Sequence, residues 1–298
     1  MPALRVQIPQ VFLACALITA VIQVAGWAVA YALQTEKFYD ILGGANFLAL
    51  AAYSAVTADG WLADPRKVAA TLIFVCSRSW LLLFLAWRAH ERSGDARFDG
   101  VKDKAGRFLV FWIVQGVWVS LISSPVLLLN ASPASPPLGV GDVFFLGGFF
   151  LGVVCEIVAD VQKALWVRAG RQGYFCTVGL WSYSRHPNYF GEMLQWWSAW
   201  LLASAAASGP TDLAWLATSA SPLFTMHVLL NIPATGVAQA NGKNLKRYYD
   251  HCPEDYARYR AKTSIILPMV GYEHVPLLLK RTLLLDFERY EYRPRKND

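Results

Sequence analysis

The chain is predicted to be an all-α, polytopic membrane helix bundle with about seven transmembrane helices, forming a single membrane domain over residues 1–298. Three observations carry that expectation. The 298 residues are 55% hydrophobic and only 16% charged, with a mean hydropathy of +0.33, too apolar for a water-soluble domain of this size. The apolar residues gather into stretches long enough to cross hydrocarbon as helices rising about 1.5 Å per residue. Lysine and arginine also alternate between loops: residues 88–107 hold six, 163–186 hold four and the tail beyond 241 holds more than either, whereas 130–142 and 205–212 hold none. The basic loops are expected in the cytoplasm and the others outside, so seven crossings place the N-terminus outside.

The elements follow in order. The first span is residues 11–32, with Gln23 as its strongly polar interruption; one arginine ahead of it and no small-residue cleavage site mark a retained helix rather than a signal peptide. The second, 41–57, carries Gly43, Gly44, Asn46 and Tyr53, and the third, 68–87, has Arg78 near its middle. The fourth, 108–129, is followed by a proline- and serine-rich loop at 130–141. The fifth, 143–158, continues as a polar helix through Asp160 and Lys163 towards Arg168, and the sixth and seventh are 189–208 and 213–232. His227 and Asn231, one helical turn apart, either line a pocket or pair with one another. Residues 269–298 form a cytoplasmic or interfacial tail, whose leucines around Lys280 and Arg281 fit a helix lying in the interface or one packed on the bundle.

Five cysteines, at 15, 76, 155, 176 and 252, show no CxxC spacing and define neither a zinc site nor a disulfide framework. His90, His251 and His274 lack companions at metal spacing, and no metal is expected. The net charge of +6 collects beside membrane segments. Its partner is expected to be anionic membrane lipid or an anionic cofactor, and not nucleic acid.

The most informative stretch is Gly179-Leu-Trp-Ser-Tyr-Ser-Arg-His-Pro-Asn-Tyr-Phe-Gly-Glu192, polar where its neighbours are apolar. Pro187 fixes a helix start, because a proline in the first turn lacks only an N–H that would have had no partner there. The N–H groups of Asn188, Tyr189 and Phe190 are then expected to face outward beside Arg185 and His186, a setting suited to phosphate or carboxylate. An interfacial anchor, with Arg185 snorkelling and Trp181, Tyr183 and Tyr189 in an aromatic belt, fits the same residues. Upstream, Glu156, Asp160 and Lys163 are spaced to share one helical face; a structural Asp160–Lys163 ion pair is the plainer account of them. Carboxylates at membrane depth otherwise need a cavity or a partner.

This stretch, with Glu156-Ile-Val-Ala-Asp-Val-Gln-Lys163 upstream, resembles the membrane family related to the C-terminal domain of steroid 5-alpha-reductases. The resemblance continues through Trp196-Trp197, Tyr256-Ala-Arg-Tyr259 and Arg260-Ala-Lys-Thr-Ser264, and defines a reductase-like core at 108–268. It implies a steroid 5-alpha-reductase-like fold, NADPH as cofactor, and Asp160, Tyr174 and Asn188 as nicotinamide-cofactor contacts. Glu156 stands where those reductases carry an asparagine. Lys163 belongs to the same motif, and Lys246, Arg247 and Tyr249, with Lys243 and Tyr248, fall where the reductases close over the diphosphate. Arg185 and His186 recur in sterol reductases and isoprenylcysteine carboxyl methyltransferases, which share the Arg-His-Pro-x-Tyr core, and are assigned to phosphate or carboxylate recognition.

In the first half, Arg78-Ser-Trp, Trp87-Arg88 and 94–98 resemble the same family's third span and following loop, and 38–44 its N-terminal aspartate and glycines. Reducing an enone requires a hydride donor and an acid that polarises the carbonyl. Asp40 and Tyr53 are the candidates for that acid, although Asp40 also reads as a plain helix-start residue. The catalytic tyrosine of the steroid enzymes aligns with an apolar residue near Val75. The expected function is therefore NADPH-dependent reduction of a carbon–carbon double bond in a lipophilic, steroid- or lipid-like substrate. The alternatives are a membrane methyltransferase using S-adenosylmethionine and a non-catalytic lipid-binding protein. Ala240-Asn241-Gly242-Lys243 stands where isoprenylcysteine methyltransferases place a pair of glutamates, which favours the phosphate-rich cofactor. The expected location is the endoplasmic reticulum in a eukaryote or the inner membrane in a bacterium.

Overall fold

The computed structural model describes residues 8–91, 96–133, 136–171, 174–232 and 235–291, with the backbone alone at 88–91, 96 and 239–244. Residues 94–95 of the family-like loop and 292–298 of the tail lie outside the described residues. Among those described, secondary structure is helical, with one isolated bridge between Ser184 and Ser264. The longer helices are α1 (Ile8–Ala32), α2 (Tyr39–Thr57), α3 (Pro65–Glu91), α4 (Ala105–Ala131), α5 (Val140–Arg168) and α6 (Pro187–Leu202). After these come α7 (Leu213–Ala217), α8 (Ala220–Leu230), α9 (Gly236–His251), α10 (Pro253–Lys262) and α11 (Leu277–Thr282).

Five segments are long and apolar enough to cross a membrane: α1, Pro65–Trp87 of α3, α4, α5, and Leu213–Leu230 spanning α7 and α8. The chain is a multi-pass integral membrane protein. The other two expected spans are helical but fall short of that standard. In α2, Asp40, Asn46, Ser54 and Thr57 dilute the apolar run, and α6 has 16 residues, including Glu192 and Gln195.

The chain divides into two compact units, Met1–Phe149 with Trp196–Pro222, and Phe150–Gln195 with Leu223–Asp298. In the first, α1 packs on α2 and α4, and α2 also packs on α3. Its core is aromatic: Tyr39, Phe98, Phe108 and Trp112 are buried together, with Tyr39 edge-on to Trp112 at 5.1 Å. Several polar side chains inside the apolar helices answer one another, as burial in hydrocarbon favours. Asn46, fully buried, accepts from Gln23 at 3.2 Å and donates to Thr19 at 3.1 Å. The Arg66 guanidinium grips Asp142 through two bonds of 2.5 and 2.7 Å, and the Lys67 ammonium donates to the Ser132 carbonyl at 2.6 Å just past the end of α4. Trp200 and Trp215 stack at 4.8 Å, each indole N–H donating to the other's carbonyl.

In the second unit α5 and α6 cross through glycines. A Cβ on Gly152 would lie 2.7 Å from the Gly191 carbonyl oxygen, and one on Gly191 would lie 2.6 Å from the Gly152 carbonyl oxygen. α10 carries its own end signals: Pro253 in the first turn with Glu254 and Asp255, and Arg260 and Lys262 in the last turn, where charges of those signs suit the helix dipole.

Candidate functional site

The residues singled out from the Glu156-to-Lys163 and Gly179-to-Glu192 motifs come together in the second unit, and the glycine crossing explains how. Glu156 follows Gly152 by four residues and Gln195 follows Gly191 by four, so each lies one turn along the contacting face of its helix. Gln195 Nε2 donates to Glu156 Oε2 at 2.6 Å, both side chains being buried. One turn further along α5, Asp160 Oδ1 accepts from Asn188 Nδ2 at 3.2 Å. The other polar atom of that amide, Asn188 Oδ1, is buried without a hydrogen-bond partner. A buried polar atom left unmatched costs about 1–3 kcal/mol and marks where a donor would be welcome.

Lys163 sits over aromatic faces, its ammonium 4.1 Å from the Trp181 ring and 5.1 Å from Trp166. Such cation–π contacts hold a charge in place in a partly apolar setting. Trp181 is itself fixed by its indole N–H on the Ala159 carbonyl at 2.9 Å, and Gln162 Oε1 receives the Leu180 N–H at 2.9 Å. Arg247 on α9 donates to the Tyr174 carbonyl at 3.2 Å and lies 5.1 Å from the Tyr248 ring; its Nε is buried with no acceptor. Arg171 and Arg247 are near enough to Lys163 for their charges to be felt there. The Tyr174 ring meets His251 at 5.2 Å, and Lys246 is exposed near Asp250. The Tyr249 hydroxyl accepts from Arg260 at 3.2 Å. Behind this basic edge Phe175, Tyr248, Tyr256 and Tyr259 pack together, and burial pushes the Tyr256 hydroxyl up to about 12 and that of Tyr259 up as well.

Arg185 and His186 have other employment. The Arg185 backbone N–H donates to the Ser264 carbonyl at 2.8 Å and its Nε to the Thr263 carbonyl at 3.2 Å, while its Nη2 meets Asp286 of the tail. Tyr272 donates to the same Asp286 oxygen at 2.5 Å, and this bond, added to burial, pushes the tyrosine hydroxyl well up. The carboxylate expected at Arg185 is thus present and belongs to the protein itself. The His186 ring lies parallel to Tyr189 at 5.0 Å. The helix start also differs from expectation, since the N–H groups of Tyr189 and Phe190 turn back onto the His186 carbonyl at 3.1 and 3.2 Å.

Asp40 and Tyr53 lie in the first unit on α2, thirteen residues apart in sequence and so about 20 Å apart along the helix at its usual rise. Asp40 pairs with the exposed Arg97 at 3.0 Å, and Tyr53 is half-buried. Sequence reasoning missed Gln195, Asp286 and the two crossing glycines. Glycine four residues ahead of Glu156 and of Gln195 was the available signal for the crossing; for Asp286 there was none.

The Gly179-to-Glu192 motif and the Glu156-to-Lys163 face lie within a match to one family model, which runs over residues 26–263 and is described as protein of unknown function (DUF1295). The chain belongs to that family. No curated protein and no solved structure matches it. The DUF1295 match ends at Thr263, whose carbonyl Arg185 holds, so Tyr272 and Asp286 complete the Arg185 cluster from beyond the matched region.

Proposed function

We propose that this DUF1295 protein is a membrane-embedded, NADPH-dependent reductase acting on a carbon–carbon double bond of a lipophilic, steroid- or lipid-like substrate. The observation that carries this reading is the bond between Asp160 and Asn188, which joins two residues that separate motifs assign to a nicotinamide cofactor. The residues fit that cofactor. Asn188 Oδ1 is an unmatched acceptor and a carboxamide brings N–H donors; Arg247 Nε is an unmatched donor and phosphates bring acceptors. Bound NADPH would supply the hydride.

The chain's own residues supply binding and orientation. Asp160 fixes the Asn188 amide so that its oxygen stays available. Arg247 and Lys246 take the phosphates, with Lys163 adding positive charge from its aromatic seat. The substrate enters from the bilayer. In the same reading α2 and α6 also cross, giving seven spans with the N-terminus outside and the C-terminus cytoplasmic. At helical rise α2 covers about 28 Å, and α6 with the tighter turn Ala203–Ala206 that follows covers about 32 Å, enough for the hydrocarbon core.

Thermal unfolding of the detergent-solubilised protein with NADPH, S-adenosylmethionine or S-adenosylhomocysteine tests the reading, because a ligand that binds only the folded state raises its stability. NADPH should raise the transition and the other two should not. Asn188→Ala should weaken that binding roughly two- to tenfold, as loss of a neutral hydrogen bond does. Stabilisation by S-adenosylhomocysteine without a response to NADPH would overturn the reductase and make the chain a methyltransferase.

A further inference from the structure

The tail segment beyond the family match is fastened along one side and bare along the other. On the fastened side, Tyr272 and Arg185 both reach Asp286, and Arg281 donates to the Asp286 carbonyl at 2.5 Å. The Tyr290 hydroxyl donates to the Leu230 carbonyl at 2.5 Å, and Arg289 reaches the Asn231 side chain. On the bare side Leu277, Leu278 and Leu283 are 64%, 71% and 72% exposed, and Val270 is 81% exposed. A leucine left in water forgoes the stabilisation that burial brings, and three together are a costly surface unless an apolar medium meets them. A segment fastened at so many points cannot turn these side chains inward.

Its position names the medium. Leu230 ends the last of the helices apolar enough to cross the membrane, and Tyr290 and Arg289 are fastened to Leu230 and Asn231. The strap is therefore tied to the level at which that helix leaves the bilayer. Lys280, its ammonium 4.3 Å from the Tyr272 ring, and Arg281 stand among the leucines, the mixture of apolar and basic groups that suits a headgroup–acyl boundary containing anionic lipid. We infer that residues 270–283 form a membrane foot, with Leu277, Leu278 and Leu283 set into the surface of the same bilayer that the helices cross and Lys280 among its headgroups. This holds whether or not the chain is a reductase.

Spin labels read it directly. Leu278→Cys would be made with Cys76 and Cys252 replaced by serine, labelled, and reconstituted into vesicles of phosphatidylcholine and phosphatidylglycerol; labels at Leu17 on α1 and Arg258 on α10 serve as lipid and water references. The label at 278 should collide with oxygen and be shielded from an aqueous nickel chelate, as at Leu17, and Leu283→Cys should repeat the result. Chelate access equal to that at Arg258 would place the leucines in water and overturn the inference. Low access to both reagents would show them covered by protein, a second copy of this chain included, and would overturn it equally.

Discussion

Arg66 with Asp142 in the first unit and Arg185 with Asp286 in the second are both buried arginine–aspartate pairs, joining residues 76 and 101 positions apart. They are finished differently. Asp142 receives two guanidinium bonds and the Gly139 N–H, and Arg66 also donates to the carbonyls of Pro136 and Pro137. In the second pair Arg185 and Tyr272 both reach one oxygen of Asp286, and its other oxygen is buried without a partner. Among the described residues, unmatched buried atoms occur in both units, on Asn188 and Arg247 in the second and on Gln23, Trp80, Trp112, Gln115 and Ser123 in the first. A fully answered pair acts as a staple, because its desolvation is offset on every side. An incompletely answered pair keeps an acceptor that a further donor could still meet.

The largest test of that contrast removes one partner from each pair. Asp142→Ala and Asp286→Ala should each destabilise by about 3–5 kcal/mol, the cost of stranding a buried charge. Denaturant unfolding in detergent should put Asp142→Ala at the top of that range and Asp286→Ala at the bottom, since the Asp142 carboxylate gives up three bonds, from Arg66 twice and the Gly139 N–H, and that of Asp286 gives up two, from Arg185 and Tyr272. The reverse order would break the comparison.

Next in size are the glycines. Gly152→Ala sets a Cβ against the Gly191 carbonyl and, at 2.8 Å, the Gln195 backbone nitrogen; backbone cannot step aside, and a loss of about 1–3 kcal/mol is expected. Gly43→Ala in the first unit meets the Gln115 side chain first, 2.5 Å from its Nε2, and should cost about 0.5–1.5 kcal/mol through the bond that amide makes to the Tyr39 carbonyl. Gly106→Ala, with nothing within 4 Å, should cost nothing measurable.

The smallest effect is a dependence on pH. The hydroxyls of Tyr256, Tyr259 and Tyr272 are all raised by burial, Tyr256 to about 12, from the ordinary value of 10.0. Groups raised in the folded state contribute fully below the unfolded value and lose that contribution as pH rises through the folded one. Stability should therefore begin to fall above pH 10, and Tyr256→Phe should flatten the part of the decline that extends towards pH 12. An unchanged profile in Tyr256→Phe would remove that residue from the account.

Helix positions were legible because hydropathy and end signals are local: each of the seven expected segments is helical, α6 begins at Pro187, and His227 and Asn231 do meet at 3.2 Å. The Asp160–Asn188 contact was legible only through the two motifs together. The count of apolar spans was less so, since polar residues that answer one another inside the protein, such as Asn46 and Gln195, lower a segment's hydropathy in the same way as residues facing water. Arg185 shows the further limit. Its charge pointed to an anion, but nothing local distinguishes an anion brought by a ligand from one brought by the chain 101 residues later.

The meeting of Gly152 and Gly191 also bears on how sequences of this family can drift. Two helices whose backbones touch through paired glycines have one registration available, and that registration sets Glu156 opposite Gln195 and Asp160 opposite Asn188. A lineage that replaced either glycine would have to part the helices, and would stretch both polar contacts at once. Positions 152, 156, 160, 188, 191 and 195 should therefore change together or not at all, as a single inherited character rather than six.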